Sequence, residues 1–509
     1  MNRLLAYLRS IPRPVWVVVA ASLVLRTLIA LLLPGAGFDE AYYYVYTLYP
    51  SLSYFDHPPL VAAVAAVGPL LTGHVSAFTI RIGVLLLFTL TSLAVYAAAR
   101  EWVGHKDALW SIALFSFTPL FMLGAGVALL PDAPMAFFWS GALLALVRLK
   151  DHQHLSAQRW MVAGVLCGLT FLSKYHGVLL MGGIGGYLLL ARRREFGRAG
   201  VWLGTLGALL CFLPVIVWNM HHGFVSFTFQ SGRAAGRGIR FDLLGQAIAG
   251  QAAYLGPYAI APLGGALWWS VRHSVRGGDR LYRFTFWSGA FAVLFFVAVA
   301  VTRQILPHWT LGGWIALTIP AGSLLRTGYT RSRRWRWWTW GGGVVTALLF
   351  AGVLLHAHYG VLEPLMGGAP TASARRSRAD ATLDMAGWNE AARAIDSLAA
   401  GNSTPFLFTH RWFLSAQIAL AVQGRYRVMC FNRRDARGFS IWHRDLDLSG
   451  GDGIFICTDR YRADPVQLYG EYFRTIEPLD SLPVLRGGQT AKYVYLYRCR
   501  ELREPFPLR

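Results

Sequence analysis

Residues 14–33 read PVWVVVAASLVLRTLIALLL, an apolar run that contains a single charged residue, Arg26. A membrane-spanning helix needs about 20 mostly apolar residues, so this run is long enough to cross a bilayer. It is too long for the apolar core of a typical signal peptide, and further runs follow, so we expect a retained anchor. The sequence predicts ten more spans, at roughly 78–99, 108–125, 134–149, 159–174, 176–191, 201–220, 246–270, 284–302, 309–325 and 338–357.

Composition supports a polytopic membrane protein of about 11 spans. The chain has 509 residues, of which 55% are hydrophobic and 15% charged, whereas about a quarter of an ordinary soluble domain is charged. The net charge of +22 could suggest nucleic acid, but 21 of the 28 basic residues in 1–374 fall on one side of the predicted spans. This asymmetry is a topology signal and puts the N-terminus in the cytoplasm. We find no zinc-finger, basic-region or RNA-binding signature.

The composition changes after the last predicted span. Residues 1–358 form the predicted transmembrane domain, 359–374 a linker and 375–509 a small soluble domain. Strand-like runs at 405–409, 426–431, 453–458 and 493–499 alternate with a helix-like run at 412–422. This alternation predicts an α/β fold. Eleven spans place this domain outside the cytoplasm.

The predicted first outer loop, 34–77, concentrates acidic and aromatic residues. Three of the 11 acidic residues of 1–374 lie there: Asp39, Glu40 and Asp56. Carboxylates beside a membrane are costly, so we interpret these as candidates for acid–base chemistry. Helix capping or a solvated loop is the alternative. The intervening tyrosines are typical of an interface belt, and Tyr43 is our candidate for a substrate contact.

Later turns on the same predicted side carry further ionisable residues. They are Asp132, Lys174, His176, Arg233, Arg237, Arg240, Arg303 and His308. Lys174 breaks the charge asymmetry, which favours a bound anion, with snorkelling as the alternative. The three arginines at 233–240 lie in a glycine-containing loop. Such a loop is suited to binding phosphate, and the alternative is a solvated basic loop without a ligand. Carboxylates and cations on one face predict a phosphate-linked substrate that reacts at the outer membrane surface.

Three motifs carry a family resemblance. FDEAYYYVYTLYPSLSYFDHPPL (38–60), LLPDAPMAFFW (129–139) and GLTFLSKYHGVLL (168–180) resemble the bacterial branch of the protein O-mannosyltransferase superfamily, in order and spacing. These GT-C glycosyltransferases (glycosyltransferase families 39 and 83) are related to the aminoarabinose and galacturonic acid transferases that modify lipid A. With the PHW segment at 307–309, the resemblance covers most of the chain.

The resemblance implies roles for individual residues. Its implied acid–base set is Asp39, Glu40, Asp56 and Asp132, with Asp39 as the favoured base. Its implied donor-phosphate set is Lys174, Arg233, Arg237 and Arg303. Its implied substrate contacts are His57, Tyr43, His176 and His308. His57 stands where the aminoarabinose enzymes have another basic residue, which weakens an assignment of aminoarabinose as the donor sugar.

The resemblance also implies a reaction and a location. A polyprenyl-phosphate-linked sugar would be transferred, with inversion, to an envelope lipid, glycan or protein at the outer face of a bacterial inner membrane. The C-terminal domain would be periplasmic, and no nucleic acid partner is expected. Some relatives use a divalent metal ion and others do not. Asp56 with His57 could bind one, but two such ligands are a weak metal signal.

Other functions fit parts of the sequence. A transporter or flippase for a lipid-linked or anionic substrate also has many spans, but it more often shows internal repeats and mid-membrane charge. A polysaccharide polymerase or ligase, or a non-catalytic scaffold, are further alternatives. In the C-terminal domain, ARGFSIWHRD (436–445) groups Trp442, His443 and Arg444, which would either contact sugar or lipid or form a folded edge.

Overall fold

The computed structural model describes residues 8–151, 154–234, 238–276, 278–363, 380–399 and 405–507. The chain forms two compact units. The first comprises Met1–Leu28, His57–Val64 and Gly83–Leu348, and the second comprises Ile29–Asp56, Ala65–Ile82 and Leu349–Arg509. The predicted domain boundaries at 358 and 375 stay a prediction, and most of the predicted linker lies outside the described residues.

The described part of the first unit is helical. In chain order the helices up to residue 359 are α1 (Arg13–Leu32), α2 (Phe38–Val45), α3 (Leu60–Thr72), α4 (Thr79–Phe117), α5 (Pro119–Gly124), α6 (Asp132–Leu146), α7 (Ala157–Ser173), α8 (Gly177–Ala191), α9 (Ala199–Leu210), α10 (Leu213–His221), α11 (Val225–Ala234), α12 (Phe241–Leu255), α13 (Pro257–Arg276), α14 (Arg280–Thr285), α15 (Phe291–Ala300), α16 (Leu311–Arg331) and α17 (Arg333–Tyr359). Helix α2 belongs to the second unit, and α1, α3, α4 and α17 run from one unit into the other.

Six helical segments of the described residues are long and apolar enough to cross a membrane. They are Arg13–Leu32, Thr79–Phe117, Asp132–Leu149, Ala199–His221, Arg280–Ala300 and Arg333–Tyr359. The predicted spans 78–99 and 108–125 are joined in α4, which is interrupted at Gly104 with φ 77°. The predicted number of eleven is therefore not confirmed, although the polytopic helical class is.

One local prediction is wrong. The predicted span 246–270 is two helices, because α12 ends before Gly256, whose φ is 76°. Glycine adopts this backbone conformation without strain, and the following proline then begins α13. The predicted outer loop 34–77 contains two short helices, α2 and α3. Its helices are only 8 and 13 residues long, too short to be recognised as spans.

Small residues let the helices of the first unit approach closely. A side chain on Gly164 of α7 would overlap the backbone of Gly204 in α9, and one on Gly183 of α8 would overlap the Trp287 carbonyl. Packing of this kind is common between membrane helices. Gly183 belongs to the glycine-rich stretch at 182–187, so this stretch contributes to helix packing.

The charge within α1 is buried and bound. Arg26 has no exposed surface, and its guanidinium donates to the Ser22 and Thr89 hydroxyls and to the Leu85 and Gly126 carbonyls, at 3.0–3.3 Å. It also lies 4.4 Å from the centre of the Phe88 ring. Hydrogen bonding offsets the cost of burying the cation, so Arg26 ties α1 to α4 within the first unit.

The second unit contains a five-stranded sheet. Its remaining elements are α18 (Trp388–Ala399), β1 (Phe406–Thr409), α19 (Trp412–Val422), β2 (Val428–Cys430), α20 (Gly438–Trp442), β3 (Gly453–Thr458), α21 (Pro465–Tyr469), β4 (Phe473–Arg486) and β5 (Gln489–Leu502). The strand order is β2-β1-β3-β5-β4. β1 pairs in parallel with β2 and β3, whereas β5 pairs antiparallel with β3 and β4. All four predicted strands and the predicted helix are present, which confirms the α/β class.

The sequence did not predict β4, one of the two edge strands of this sheet. β4 contains Pro478 and Pro483, and proline is tolerated on edge strands because its missing N–H faces no partner. It joins β5 through Gly487 and Gly488, both with positive φ, as a tight hairpin requires. The three cysteines of the domain, Cys430, Cys457 and Cys499, are buried and not disulfide-bonded.

We predict that Arg26→Leu lowers the thermal stability of the purified protein in detergent. The substitution leaves the buried carbonyls and hydroxyls that Arg26 binds without their donor, and losses of this type cost about 3 kcal/mol. Arg193→Leu is the matched control, because Arg193 is exposed and exposed substitutions shift stability by about 0.5 kcal/mol or less. Equal melting temperatures for the two variants would show that the buried network contributes nothing.

Candidate functional site

The start of α2 is fixed by a buried ion pair. The Glu40 carboxylate accepts hydrogen bonds from the Arg81 guanidinium at 2.6 and 2.7 Å and from the Gly37 backbone N–H at 2.8 Å. Arg81 is fully buried and donates further to the Ala30 and Gly35 carbonyls. Because these bonds engage both oxygens of Glu40, this member of the predicted acidic pair holds the helix terminus in place.

Asp39 precedes Glu40 in the same helical turn but is exposed. An acidic residue in the first turn of a helix is favoured by the positive end of the helix dipole. The two acidic neighbours therefore differ in burial, since Glu40 is buried in an ion pair and Asp39 is exposed.

The tyrosines of α2 and of the short turn that follows it at Tyr46–Leu48 are buried rather than arranged as an exposed interface belt. Tyr42, Tyr43 and Tyr46 have 5% or less of their surface exposed. The Tyr42 ring lies 4.9 Å from that of Trp412 on α19, and its hydroxyl accepts a bond from the Gly438 N–H at 3.0 Å. Tyr43 packs edge-on against Tyr46. Helix α2 is thus packed into the second unit by its aromatic face.

Asp56 lies at the centre of a hydrogen-bonded cluster. It is 1% exposed, accepts a bond from the Tyr46 hydroxyl and forms an ion pair with Arg437 at 2.9 Å. Burial, followed by the nearby Asp56 carboxylate, raises the pKa of Tyr46 well above its ordinary value, so the phenol stays protonated and donates. A phenol and a guanidinium together orient this carboxylate.

Arg437 reaches Asp56 from an unusual backbone conformation. Its φ is 48° and its ψ is −133°, close to the first central position of a type II′ turn, which favours glycine. A non-glycine residue in such a region costs about 1–3 kcal/mol and persists only where the surroundings impose it. The guanidinium carbon lies 3.7 Å from the Trp412 ring centre, close enough for a cation–π contact.

The pKa of Arg437 reflects these neighbours. Burial by itself would lower the pKa, but the Asp56 carboxylate and then nearby tyrosines raise it, and the net shift is upward. The guanidinium therefore remains a permanent cation next to Asp56.

Two of the three residues singled out at 442–444 also contact the first segment of this unit. Trp442 stacks on Tyr49 with ring centres 4.9 Å apart, and His443 Nε2 lies 2.9 Å from the Tyr49 hydroxyl. Burial lowers the pKa of His443 to about 4, so its ring is neutral at pH 7. Arg444 is exposed.

Metal ligation by Asp56 is not favoured by its neighbours. No group of three or more His, Cys, Asp or Glu side chains suited to a metal ion occurs among the described residues. The contacts of Asp56 with Arg437 and Tyr46 mean that a cation already neutralises the carboxylate. A metal ion at this position would have to displace the guanidinium.

The first unit contains a second paired carboxylate. Asp132 is the first residue of α6, and Lys174 directly follows α7. The Lys174 ammonium lies 2.9 and 2.7 Å from the two carboxylate oxygens of Asp132, and both residues are at most 3% exposed. The antiparallel packing of α6 against α7 brings these positions together. A buried lysine paired in this way is the arrangement expected for a structural ion pair or an anion site.

Aromatic rings pack against His176, which lies two residues after Lys174 in the sequence. His176 lies 4.7 Å from the Phe296 ring and 5.8 Å from the Trp309 ring. Trp309 and His308 belong to the short turn Pro307–Thr310, and His308 is partly buried.

A glutamine fixes this turn. Gln251 on α12 donates to the Pro307 carbonyl at 2.8 Å and accepts from the Thr310 hydroxyl at 2.8 Å and from the Trp314 indole at 2.9 Å. No sequence pattern pointed to Gln251, because a neutral amide within an apolar run is not unusual.

The remaining predicted cations are less defined. Arg303 follows α15 and is partly buried, and His57 is buried in the first unit. Arg240 is exposed, forms two hydrogen bonds with Asp242 at 2.8 and 2.7 Å, and its N–H donates to the Val301 carbonyl. The side chain of Arg233 and the whole of Arg237 lie outside the described residues.

Within the units, the structure brings together Asp132 with Lys174, and Asp56 with Tyr46. Sequence reasoning missed Arg81 and Arg437, the partners of Glu40 and Asp56. Arg81 carried a signal, since it is a cation at the start of an apolar run on the side that the charge asymmetry leaves poor in basic residues. Arg437 carried none, because it is one of many arginines in a soluble domain.

Comparisons with known proteins agree with this architecture. Residues 56–218 match the family model for dolichyl-phosphate-mannose-protein mannosyltransferases. The chain is 26% identical over 290 residues to the lipid A galacturonosyltransferase RgtD from Rhizobium johnstonii. That alignment covers 56% of this chain and 60% of the relative.

Solved structures extend the similarity in fold to nearly the whole chain. ArnT from Cupriavidus metallidurans, in the apo state and bound to undecaprenyl phosphate, superposes with a TM-score of 0.62 over 95% of this chain and 97% of ArnT, at 16% and 17% identity. Helices able to span a membrane, the α/β domain and these matches have one common explanation. The chain is a membrane protein with the fold of ArnT, and its residues 56–218 resemble the dolichyl-phosphate-mannose-protein mannosyltransferases.

Proposed function

We propose that the protein is an inverting glycosyltransferase that uses a polyprenyl-phosphate-linked sugar as donor. The acceptor is a lipid, glycan or protein of the bacterial cell envelope. Undecaprenyl phosphate is bound in one structure of ArnT, and lipid A is the acceptor named for RgtD. These names support a polyprenyl-phosphate donor and favour a lipid acceptor for this chain.

The buried pair of Asp132 and Lys174 carries the proposal. It lies within the stretch that matches the mannosyltransferase family model, and an ammonium is suited to binding phosphate. A buried lysine needs a counter-charge when no ligand is present. We assign Asp132 the role of holding the ammonium in place and Lys174 that of stabilising the charge on the departing lipid phosphate.

The acidic residues of the second unit receive different roles. Asp39, exposed on the first turn of α2, is our proposed general base, which accepts the proton of the acceptor hydroxyl or amine as the new glycosidic bond forms. Asp56 is proposed to contact donor or acceptor. Glu40 is assigned a positioning role, because its oxygens are bound by Arg81 and the Gly37 N–H.

The remaining predicted site residues keep the roles that the resemblance implies. Arg233, Arg237 and Arg303 would add to phosphate binding, and His57, Tyr43, His176 and His308 would contact substrate. The low exposure of Tyr43 and His57 favours contacts in an enclosed site over contacts at the membrane surface.

We further propose that the reaction takes place at the periplasmic face of the inner membrane. The charge asymmetry of the loops supports a cytoplasmic N-terminus, with the C-terminal domain on the opposite side. The transporter alternative loses support, because the relatives named above are transferases.

Asp39→Asn is expected to lower sugar transfer by at least about 100-fold, since the amide cannot accept the proton from the acceptor. The purified protein in membrane lipids would be incubated with a panel of polyprenyl-phosphate sugars, and lipid, glycan and protein products would be identified by mass spectrometry. Asp445→Asn is the control, because Asp445 is also an exposed acid of the second unit.

Transfer by wild type and the control, but not by Asp39→Asn, would support the assignment of the base. Equal transfer by all three would remove Asp39 from that role and leave the glycosyltransferase proposal intact. A wild type inactive with every donor of the panel, while a control GT-C enzyme is active, would contradict the proposed function.

Substitutions in the buried pair of Asp132 and Lys174 should affect stability and catalysis differently. Asp132→Asn is expected to destabilise the protein by about 3 kcal/mol, because it leaves Lys174 as an uncompensated buried cation. The double variant Asp132→Asn/Lys174→Met removes both charges, so its melting temperature in detergent should recover most of the loss. Its transfer activity should remain low, because the phosphate loses its ammonium partner.

Recovery of both stability and activity in the double variant would identify the pair as purely structural. In the double variant, an increased apparent KM for the donor with an unchanged KM for the acceptor would assign the loss of activity to weaker binding of the donor phosphate.

A further inference from the structure

Within the second unit, Arg437 links the C-terminal segment to the segment Ile29–Asp56 through an ion pair with Asp56. The two residues of its ion pair with Asp56 are 381 positions apart. Asp56 is bound on one oxygen by the Tyr46 hydroxyl and on the other by Arg437. Two donors on opposite oxygens restrict rotation of the carboxylate, so they set the direction in which it points.

The surroundings of Arg437 hold the guanidinium rigidly. The Trp412 ring supports it at 3.7 Å, and the Tyr42 ring is 5.9 Å from the same carbon. The next residue, Gly438, donates its N–H to the Tyr42 hydroxyl. The turn that carries Arg437 is therefore hydrogen-bonded to the helix that bears Asp39.

The backbone conformation at Arg437 indicates that the arginine side chain is required there. Glycine would fit the φ of 48° and ψ of −133° without strain, yet the chain carries an arginine. Strained residues of this kind cluster at functional sites, where the surrounding structure imposes them. Asp435 also lies 3.6 Å from the guanidinium, but it is exposed, whereas Asp56 is buried.

We propose that Arg437 is a positioning residue for the transfer reaction, and that it acts by orienting the Asp56 carboxylate towards its substrate. This inference rests on the proposed function. It gives the C-terminal domain a direct part in catalysis, through one side chain that is fixed by Trp412 and by the turn at Gly438. Arg437 itself needs no contact with donor or acceptor.

Arg437→Gly tests the proposal. Glycine relieves the backbone strain, but loss of the guanidinium also removes the cation that faces the buried Asp56 carboxylate, so the melting temperature is measured in parallel. A misplaced reacting group costs up to about 100-fold in rate, so we expect kcat to fall by about 10- to 100-fold. The KM values for donor and acceptor should stay within about twofold, since binding contacts remain. Added guanidinium chloride at millimolar concentration should restore part of kcat by occupying the vacated position.

Controls separate orientation from general effects. Sodium chloride at the same ionic strength should not restore activity, and Arg437→Lys should keep part of kcat through its charge. Arg433→Gly is the matched variant, because Arg433 is an exposed arginine of the same segment that pairs with Glu471. It should behave as wild type in kcat and show no response to guanidinium.

The outcomes distinguish the inference from the proposed function. A kcat within twofold of wild type in Arg437→Gly would overturn the positioning role, even if the protein proves to be a glycosyltransferase. A lower kcat accompanied by a lower melting temperature, without guanidinium rescue, would overturn it in favour of a structural role. Absence of transfer by wild type would instead contradict the proposed function, from which the assay takes its substrates.

Discussion

Burying a charge among apolar side chains is costly unless hydrogen bonds or an opposite charge offset it. This constraint explains where several ionisable side chains of the chain lie. Arg26 within α1 is bound by hydroxyls and carbonyls, Glu40 by Arg81, and Asp132 by Lys174. Each set of contacts joins segments distant in the sequence. The buried polar groups therefore specify which helices meet, a task that lipid-facing leucines cannot perform because they are equally compatible with any apolar neighbour.

The pair of Glu40 and Arg81 shows how this constraint prepares a site. The pair anchors the first turn of α2, and the buried tyrosines hold the rest of that helix against α19. Asp39 is thereby presented on a rigid helix terminus, instead of on a mobile loop. A general base gains from such rigidity, because proton transfer requires the base to stay within hydrogen-bond distance of the acceptor group. Glu40 provides the position, and its exposed neighbour Asp39 is the residue to which we assign the role of base.

The sequence predicted the features that depend on local pattern. Apolar runs revealed α1 and α17, and alternating runs revealed β1, β2, β3 and β5. It failed where tertiary contacts decide. Gly256 divides a long apolar run that periodicity alone reads as one helix, and β4 carries prolines that only its edge position allows. Candidate residues followed the same rule. Ionisable residues beside apolar runs, such as Asp132 and Lys174, were conspicuous, whereas Arg437 could not be recognised because its role depends on a partner 381 positions away.

The contrast between Asp132 and Asp56 has a consequence for how the two carboxylates can act. Asp132 faces a lysine, whose ammonium is a compact charge on a flexible stem that can shift to meet a phosphate. Asp56 faces an arginine, whose planar guanidinium is supported by Trp412 and reached from a strained backbone. The first pair is suited to rearranging when an anion arrives, and the second is suited to resisting rearrangement. The proposed transfer reaction needs both properties, since the leaving phosphate would change its charge while the groups that position the reacting partners must stay fixed.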